Sequence, residues 1–230
     1  MAIPSVLVFD VNETLLDIES LAPLFGELFG DELMLREWFA QLVMYSMTIT
    51  LADNYVPFPV LGQGVLRMLG DIYRVDVTDR DTDRLKTALL TMPAHPDAAE
   101  GLAALRDNGF RLVTLTNSPP NPDGPTALQN SGLAGFFEHQ LSVDARRVFK
   151  PSPTVYRYAC ETLGVAPADC MMVAAHVWDT IGAQRVGFSG ALITRRGNAP
   201  LRVDGMPQPN IVVSDVRQLA AQLINGSAEH

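Results

Sequence analysis

Short apolar runs recur along the chain with the composition typical of strands that are buried on both faces of a parallel sheet. The first run, residues 5–11, reads SVLVFDV and is rich in β-branched side chains. Similar runs follow from residue 111 onward. We expect strands at Ser5–Val11, Arg111–Thr116, Gln140–Val143, Met171–Ala175, Ala191–Thr194 and Ile211–Val213.

Helical patterns with recognisable ends separate the later runs. The helix predicted at Asp97–Asp107 ends at Asn108-Gly109, a common helix stop. The next helix starts with proline and ends before a glycine, over Pro153–Leu163. Two more are expected at Asp179–Val186 and Asp215–Leu223. Because strands alternate with helices, the pattern predicts βαβ units and an α/β fold with a Rossmann-like, mostly parallel sheet.

The segment from residue 16 to residue 94 interrupts this alternation, because it contains no convincing strand. Its periodicity instead predicts helices at Glu19–Leu28, Glu32–Met47, Val60–Tyr73 and Asp81–Leu90, with prolines at the breaks. The simplest organisation is a helical cap, residues 17–94, inserted into a Rossmann-like core. Residues 1–16 and 95–230 would form that core.

Composition narrows the class of protein. The 230 residues are 47% hydrophobic and carry a formal net charge of -9, which argues against nonspecific binding to nucleic acid or to anionic membranes. The chain opens without a basic, signal-like segment and has no apolar run long enough to span a bilayer. Its two cysteines form no CxxC pair. We expect a cytoplasmic protein without nucleic-acid or membrane partners.

Polar side chains follow four of the predicted strands. Ligands of parallel α/β proteins sit beyond the carboxyl ends of the strands, so these side chains are expected to share one site. Each has a simpler explanation when taken alone, such as an aspartate that caps a loop, a polar turn before prolines or a solvated lysine. Their occurrence at every suitable strand end favours a shared functional site over these separate structural explanations. They are Asp10, Thr116, Asn117, Lys150, His176 and Asp179.

The same positions carry a family resemblance. Asp10-Val-Asn-Glu-Thr14-Leu15 resembles the first motif of the haloacid dehalogenase superfamily, in which the aspartate attacks as a nucleophile. Thr116-Asn117-Ser118 is similar to the second motif, and Lys150-Pro151 to the third. The segment 171–182, with Asp179 as its acid, is similar to the fourth.

Further features resemble one branch of that superfamily, the type II L-2-haloacid dehalogenases. That branch has Ser-Val-Asp before the lysine, a tyrosine six residues after it and Trp-Asp-x-x-Gly-Ala in the fourth motif. This chain has Ser142-Val143-Asp144, Tyr156 and Trp178-Asp179-Thr180-Ile181-Gly182-Ala183 at these places. The resemblance implies hydrolysis of short 2-haloacids to 2-hydroxy acids through an ester on Asp10, with no metal or other cofactor. Relatives are often dimers, so a homodimer is compatible with it.

A magnesium-dependent phosphatase acting on a small metabolite is the alternative within the superfamily. Phosphatases of this type place a second aspartate two residues after the nucleophile, where it protonates the leaving group. This chain has Asn12 there, and its fourth motif has Trp178 before Asp179 rather than another acid. A halide leaves as an anion and needs no general acid. Carbon–halogen hydrolysis therefore tolerates Asn12, and we expect Asn12, Thr116, Asn117 and Trp178 to bind substrate or halide.

Two departures from the branch lie beside the expected nucleophile. Glu13 stands where relatives have glycine, and His176 stands where they have asparagine. We hypothesise that Glu13 and His176 pair, with His176 as the general base that activates water. The alternative is a histidine satisfied by the backbone.

The cap departs from the branch as well. Relatives supply an arginine from the second cap helix, and its counterpart here is Phe39. Phe39 and neighbouring aromatic side chains would either line a compact apolar pocket or form the core of the cap. Arg36 is a candidate for electrostatic attraction of an anionic substrate.

Overall fold

The computed structural model describes residues 4–228, and those residues contain a six-stranded sheet in which every strand runs parallel to its neighbours. The strand order is β3-β2-β1-β4-β5-β6. The strands are β1 (Val6–Phe9), β2 (Arg111–Thr116), β3 (His139–Ser142), β4 (Cys170–Ala174), β5 (Ser189–Ile193) and β6 (Ile211–Val213). The predicted α/β fold with a parallel sheet is confirmed. Each predicted strand is present, and both of its ends lie within two residues of the predicted ends. Residues 1–3, 229 and 230 of the predicted core lie outside the described residues.

Helices cover both the connections between strands and the long segment between β1 and β2. They are α1 (Ala22–Phe29), α2 (Met34–Leu51), α3 (Phe58–Tyr73), α4 (Asp79–Leu90), α5 (Ala98–Asp107), α6 (Ala127–Asn130), α7 (Pro153–Leu163), α8 (Val177–Gln184) and α9 (Val216–Ala228). The helix expected at Glu19–Leu28 is divided into a 3-10 turn, Ile18–Leu21, and α1. Pro23 has no backbone N–H to continue the preceding turn, so it lies in the first turn of α1. The short α6 was not predicted.

The centre of the sheet is where the chain changes direction. β1 pairs with β2 on one side and with β4 on the other, and its four residues are fully buried, as a continuous apolar run predicts. The chain adds β2 and β3 on one side of β1 and then returns to add β4, β5 and β6 on the other. The carboxyl ends of β1, β2 and β4 are therefore neighbours at the crevice that this reversal creates.

The inserted helices, α1 to α4, have an apolar core of their own. Trp38 of α2 is fully buried, packs 5.5 Å from the ring of Phe25, and donates from Nε1 to the carbonyl oxygen of Gly62 at 2.9 Å. A Cβ atom at Gly62 would lie 3.2 Å from Trp38, so glycine permits this close packing of α2 on α3. Of the helices in the described part of the chain, none has the length and apolar character that crossing a bilayer requires.

The two connections between the sheet and the inserted helices run side by side. The backbone N–H of Asp17 donates to the carbonyl of Pro93 at 2.8 Å, and the N–H of His95 donates to the carbonyl of Leu15 at 2.9 Å. The chain thus leaves the sheet and returns to it through one hydrogen-bonded pair of segments directly after β1.

Candidate active site

Asp10 lies directly beyond the carboxyl end of β1, where its backbone N–H still donates to the carbonyl of Val173 in β4 at 2.9 Å. Its side chain is buried, and each carboxylate oxygen has a donor. Oδ1 accepts from Lys150 Nζ at 2.7 Å, and Oδ2 accepts from Thr14 Oγ1 at 2.8 Å. Thr14 in turn accepts from the backbone N–H of Ala175 at 2.8 Å. The carboxylate is therefore held in one orientation by groups from two further strand ends.

Lys150 is fully buried and bridges two carboxylates. Its Nζ donates to Asp10 Oδ1 at 2.7 Å, to Asp179 Oδ2 at 2.6 Å and to the carbonyl of Leu115 at 2.9 Å, which uses all three of its donors. The other oxygen of Asp179 accepts from the Tyr156 hydroxyl at 2.6 Å. The three contacts offset part of the free-energy cost of removing the ammonium group from water.

The mutual influence of these charges keeps Asp10 ionised. Burial opposes the charge, but the Lys150 ammonium and the His176 ring outweigh it and hold the pKa of Asp10 well below its usual range. Burial would also lower the pKa of Lys150, yet Asp10 and Asp179 raise it above its ordinary value. An ionised, oriented carboxylate at the end of a strand has the properties that a nucleophile requires.

Gly182 permits the approach of α8 to the Lys150 segment. A Cβ atom at this position would lie 2.6 Å from Cβ and 2.8 Å from the carbonyl oxygen of Pro151, and 2.8 Å from the Tyr156 ring. These distances are shorter than any real contact, so only glycine lets α8 bring Asp179 within reach of Lys150.

We expect Gly182→Ala to lower the free energy of unfolding by about 1–3 kcal/mol, because backbone atoms of Pro151 cannot move aside as a flexible side chain can. Urea denaturation followed by circular dichroism measures this difference. Gly64→Ala is the matched control, since a Cβ atom there meets nothing within 4 Å and Gly64 lies inside α3. The control should stabilise the protein by up to about 1 kcal/mol. Equal effects of the two substitutions would contradict this account.

The contact predicted between Glu13 and His176 is present. His176, the residue before α8, donates from Nε2 to Glu13 Oε2 at 2.7 Å, and both side chains are buried. The other ring nitrogen, Nδ1, lies 3.6 Å from Asp10 Oδ2 and has no hydrogen-bond partner among residues 4–228. His176 is thus oriented by a carboxylate on one side and faces Asp10 with its second nitrogen.

Glu13 occupies a backbone conformation that suits glycine. Its φ angle is 67°, in the left-handed region that side-chain-bearing residues rarely adopt. Holding a residue with a Cβ atom there costs about 1–3 kcal/mol. A glycine at this position would need no such strain, so the carboxylate of Glu13 is present in spite of a conformational cost.

His176 carries a proton at neutral pH in this arrangement. Burial lowers the affinity of the ring for a proton, but the nearby carboxylates of Asp10 and Glu13 outweigh it and raise the pKa of His176 to about 9. The ring also stacks on Trp178, with centroids 5.0 Å apart, and packs 5.4 Å from the ring of Phe39. These two aromatic contacts restrict the plane of the imidazole.

Carboxylates and cations alternate through the site. Each member contacts the next within salt-bridge distance, in the order Asp179, Lys150, Asp10, His176, Glu13, Arg36 and Glu19. We call this row of residues the charge chain. Its longest link is the 3.6 Å between His176 Nδ1 and Asp10 Oδ2. The structure therefore engages Arg36 with two carboxylates, whereas the sequence suggested a role in attracting substrate.

Several residues that orient the loop after β1 were not found from the sequence. Arg195 donates to the carbonyl of Thr14 from Nε at 3.2 Å and from Nη2 at 2.9 Å, and Asp97 holds the guanidinium through two contacts of 2.7 and 2.9 Å. His95 Nε2 donates to the carbonyl of Glu13 at 3.0 Å. Asn198 Nδ2 donates to Glu13 Oε1 at 2.9 Å. Arg195, Asp97, His95 and Asn198 belong to no sequence motif. They are identified only by contacts with residues that are far away in the sequence.

A small cavity of about 10 Å³ adjoins Asp10, which is room for about one water molecule. The predicted substrate-binding side chains all lie on its wall. Its lining consists of Asp10, Asn12, Phe39, Val43, Phe58, Thr116, Asn117, His176 and Trp178. A larger cavity of about 690 Å³ between the sheet and the inserted helices shares Asn12, Phe58 and Thr116 with it. A small molecule that entered the larger cavity would reach Asp10 past these three side chains.

The amide of Asn117 is oriented by the segment that carries Lys150. Its Oδ1 accepts from the backbone N–H of Lys150 at 3.1 Å, which leaves Nδ2 as the donor group of the side chain. Asn12 Nδ2 contacts the hydroxyl of Ser118 at 3.4 Å. Within residues 4–228, no three His, Cys, Asp or Glu side chains are grouped so that they could hold a metal ion.

Comparison with known proteins places this geometry in a family. A family model described as haloacid dehalogenase-like hydrolase matches residues 4–187. The chain is 33% identical to (S)-2-haloacid dehalogenase 4A of Burkholderia cepacia over 84% of each chain. It is 31% identical to (S)-2-haloacid dehalogenase 1 of Pseudomonas sp. strain CBS-3, over 94% of this chain and 96% of the relative.

Solved structures agree with the sequence relatives. The L-2-haloacid dehalogenase of Xanthobacter autotrophicus, determined with chloropropionic acid covalently bound, matches with a TM-score of 0.84 at 27% identity. The match covers 97% of this chain and 99% of that one. From its fold, its site and these relatives, the chain belongs to the haloacid dehalogenase-like hydrolase family.

Proposed function

We propose that this protein is a hydrolytic dehalogenase that converts short 2-haloacids into 2-hydroxy acids through an ester on Asp10, without a metal ion. The observation that carries the proposal is the ionised Asp10 carboxylate, oriented by Lys150 and Thr14 at the wall of a small cavity. The relatives named (S)-2-haloacid dehalogenases support the reaction class. The covalently bound chloropropionic acid of the Xanthobacter autotrophicus enzyme supports a covalent intermediate.

In the first step a carboxylate oxygen of Asp10 attacks C2 of the acid. A carbon–oxygen bond forms, the carbon–halogen bond breaks, and the halide leaves with the bonding electron pair. No proton moves, so Asn12 in place of an acid is compatible with the step. Asn117 Nδ2 is the donor best placed to stabilise the departing anion, with Asn12, Thr116, Phe39 and Trp178 enclosing the substrate.

In the second step water attacks the carbonyl carbon of the Asp10 ester. His176 Nδ1, which faces Asp10, accepts one proton of that water. The bond between Asp10 Cγ and the oxygen attached to C2 then breaks, and that oxygen takes the second proton of the water to become the hydroxyl of the product. The Asp10 carboxylate and a protonated His176 are restored. The ester carries no charge on Asp10, so the pKa of His176 falls below the value of about 9 in the free enzyme. Once the ester has formed, the His176 imidazolium releases its proton to solvent more readily than in the free enzyme, and the neutral ring that results can act as the base.

Lys150 and Asp179 of the charge chain, together with Thr14, keep Asp10 in place. Lys150 offsets the charge of Asp10 before attack, and Asp179 holds Lys150 from the other side. Thr14 orients the second carboxylate oxygen. We assign these three residues to positioning and charge balance in both steps.

We also propose that residues 17–94 act as a cap on a core formed by residues 1–16 and 95–230. The paired connections at Asp17–Pro93 and Leu15–His95 support this division. The inserted helices supply Phe39, Val43 and Phe58 to the wall of the small cavity. Movement of these helices would open the cavity to substrate.

Halide release tests the function directly. Purified protein is incubated with chloroacetate or racemic 2-chloropropionate, with and without EDTA, and free chloride and hydroxy acid are measured. We expect equal amounts of both products and no effect of EDTA. No halide from any short 2-haloacid would overturn the proposal. Magnesium-dependent phosphate release from an aryl phosphate would instead indicate a phosphatase.

Substrate size should matter strongly, because the small cavity offers so little room. We expect kcat/KM for chloroacetate to exceed that for 2-chloropropionate by roughly tenfold or more, the usual effect of one methyl group in a tight pocket. Phe39→Ala should reduce or reverse the preference. Phe29→Ala, which removes an aromatic ring of α1 outside the cavity, is the control and should keep it. An unchanged ratio in Phe39→Ala would contradict the assignment of Phe39 to the pocket wall.

A further inference from the structure

Glu13 is held from the side opposite His176. While Oε2 accepts from His176, the other oxygen, Oε1, accepts from Arg36 and from Asn198 Nδ2, the latter at 2.9 Å. The Glu13 side chain is almost completely buried. Both of its oxygens are thus engaged, and its orientation toward His176 depends on the two residues at Oε1.

Arg36 is itself fixed. Its guanidinium pairs with Glu19 as well as Glu13, and Nη2 donates to the carbonyl of Arg196 at 2.7 Å. A Cβ atom at Gly197 would lie 3.3 Å from the guanidinium, so the backbone there packs against it. Arg36 does not line either cavity beside Asp10. The position of Arg36 therefore does not support a role in contacting substrate.

Three separate segments meet at Glu13. Arg36 belongs to α2 of the inserted helices, Asn198 to the loop after β5, and Glu13 to the loop after β1. The arrangement at Glu13 is complete only where α2 packs on the sheet. The packing of α2 on the sheet and the orientation of Glu13 toward His176 are linked through this contact.

We propose that Arg36 is a positioning residue for hydrolysis of the Asp10 ester, holding Glu13 toward His176 and restraining how tightly His176 keeps its proton. The inference rests on the proposed function, because it assigns Arg36 to the second step of that reaction. Arg36 acts through Glu13 and touches neither Asp10 nor the cavity.

The sign of the effect follows from the charges around His176. Asp10 and Glu13 face the ring directly, with Lys150 and Asp179 behind Asp10 and with Arg36 and Glu19 behind Glu13. Without the guanidinium, no cation other than His176 offsets the negative charge of Glu13. The pKa of His176 then rises, and the neutral base is formed only at higher pH.

Rapid-quench single turnovers with chloroacetate test the proposal, because they separate halide release from formation of the hydroxy acid. In Arg36→Met we expect halide release to stay near the wild-type rate. Ester hydrolysis should slow about tenfold or more. The acidic limb of its pH–rate profile should move to a pH about one unit higher. Arg36→Lys keeps the charge, so its acidic limb should stay near that of the wild type although its rate is reduced.

Two other variants complete the design. Asn198→Leu removes a neutral donor to Glu13 and should slow ester hydrolysis without moving the limb. Arg84→Met, which breaks an exposed ion pair with Glu27 within the inserted helices, should change neither step.

Each result has a definite reading. Equal slowing of both steps in Arg36→Met, or slowing without a shift of the limb, would overturn the inference while leaving the proposed function intact. If Arg36→Met does not fold, Arg36→Lys decides: loss confined to ester hydrolysis supports the inference, and wild-type kinetics overturn it. Wild-type protein that releases no halide removes the proposed function and this inference together.

Discussion

Replacing Asp10 by asparagine is expected to abolish halide release, lowering turnover of chloroacetate by about 10⁴-fold or more. An amide oxygen is too weak a nucleophile to displace halide from carbon. The variant keeps the size of the side chain, and Lys150 retains Asp179 and the carbonyl of Leu115 as partners. We therefore expect it to fold, with the circular dichroism spectrum of the wild type.

The measurement is chloride release over a long incubation, together with the intact mass of the protein. Asp10→Asn should show neither chloride nor a mass increase from an ester. Asp83→Asn, an exposed aspartate of α4, is the matched control and should retain wild-type activity. Substantial halide release by Asp10→Asn would show that another group, or water itself, attacks the substrate.

Replacing His176 by alanine should stop the reaction between its two steps. We expect about one equivalent of halide per enzyme and then turnover reduced by roughly 10²–10⁴-fold, the usual contribution of a general base. Asp10 still has Lys150 and Thr14, so attack on the substrate continues. The intact mass should then rise by the mass of the acid minus that of hydrogen halide.

The control for this variant is His139→Ala, which removes an exposed histidine at the start of β3. It should turn over like the wild type. Multiple equivalents of halide from His176→Ala, or no halide at all, would each contradict the role of His176 as base of the second step.

The pH dependence of the two steps should differ in the wild type. Halide release needs only ionised Asp10, whose pKa lies well below its usual range, so its rate is expected to be flat through neutral pH. Ester hydrolysis needs neutral His176 and should accelerate as pH rises. It should level off at a pH below about 9, because the ester lacks the Asp10 charge that raises the pKa of His176 in the free enzyme. Single-turnover rates across this range measure both profiles.

Much of the site could be predicted because a parallel sheet collects the carboxyl ends of its strands at one edge. Asp10, Lys150 and His176 are far apart in the sequence, yet each follows a strand-like segment. Once the strands are located, their polar ends must be neighbours. The predicted contact between Glu13 and His176 came instead from two departures from the resembled branch, both beside Asp10.

The partners of Glu13 could not be predicted in the same way. Asn198 lies 185 residues from Glu13 in the chain, and Arg36 belongs to a helix whose placement on the sheet no local pattern specifies. Both are ordinary polar residues in loops or helices that carry no motif. The close approach at Gly182 is similar, because its need for glycine comes from Pro151 and Tyr156 rather than from its own helix.

The sequence by itself determined the parallel α/β architecture, the inserted helices and the carboxylate beyond β1, because these depend on local periodicity and on the geometry common to parallel sheets. Only the tertiary structure decided the size of the cavity, the partners of Arg36 and the row of alternating charges. These properties depend on distances between segments that are remote in the chain. Interactions between charges and packed side chains change steeply over such distances, and a residue pattern does not contain them.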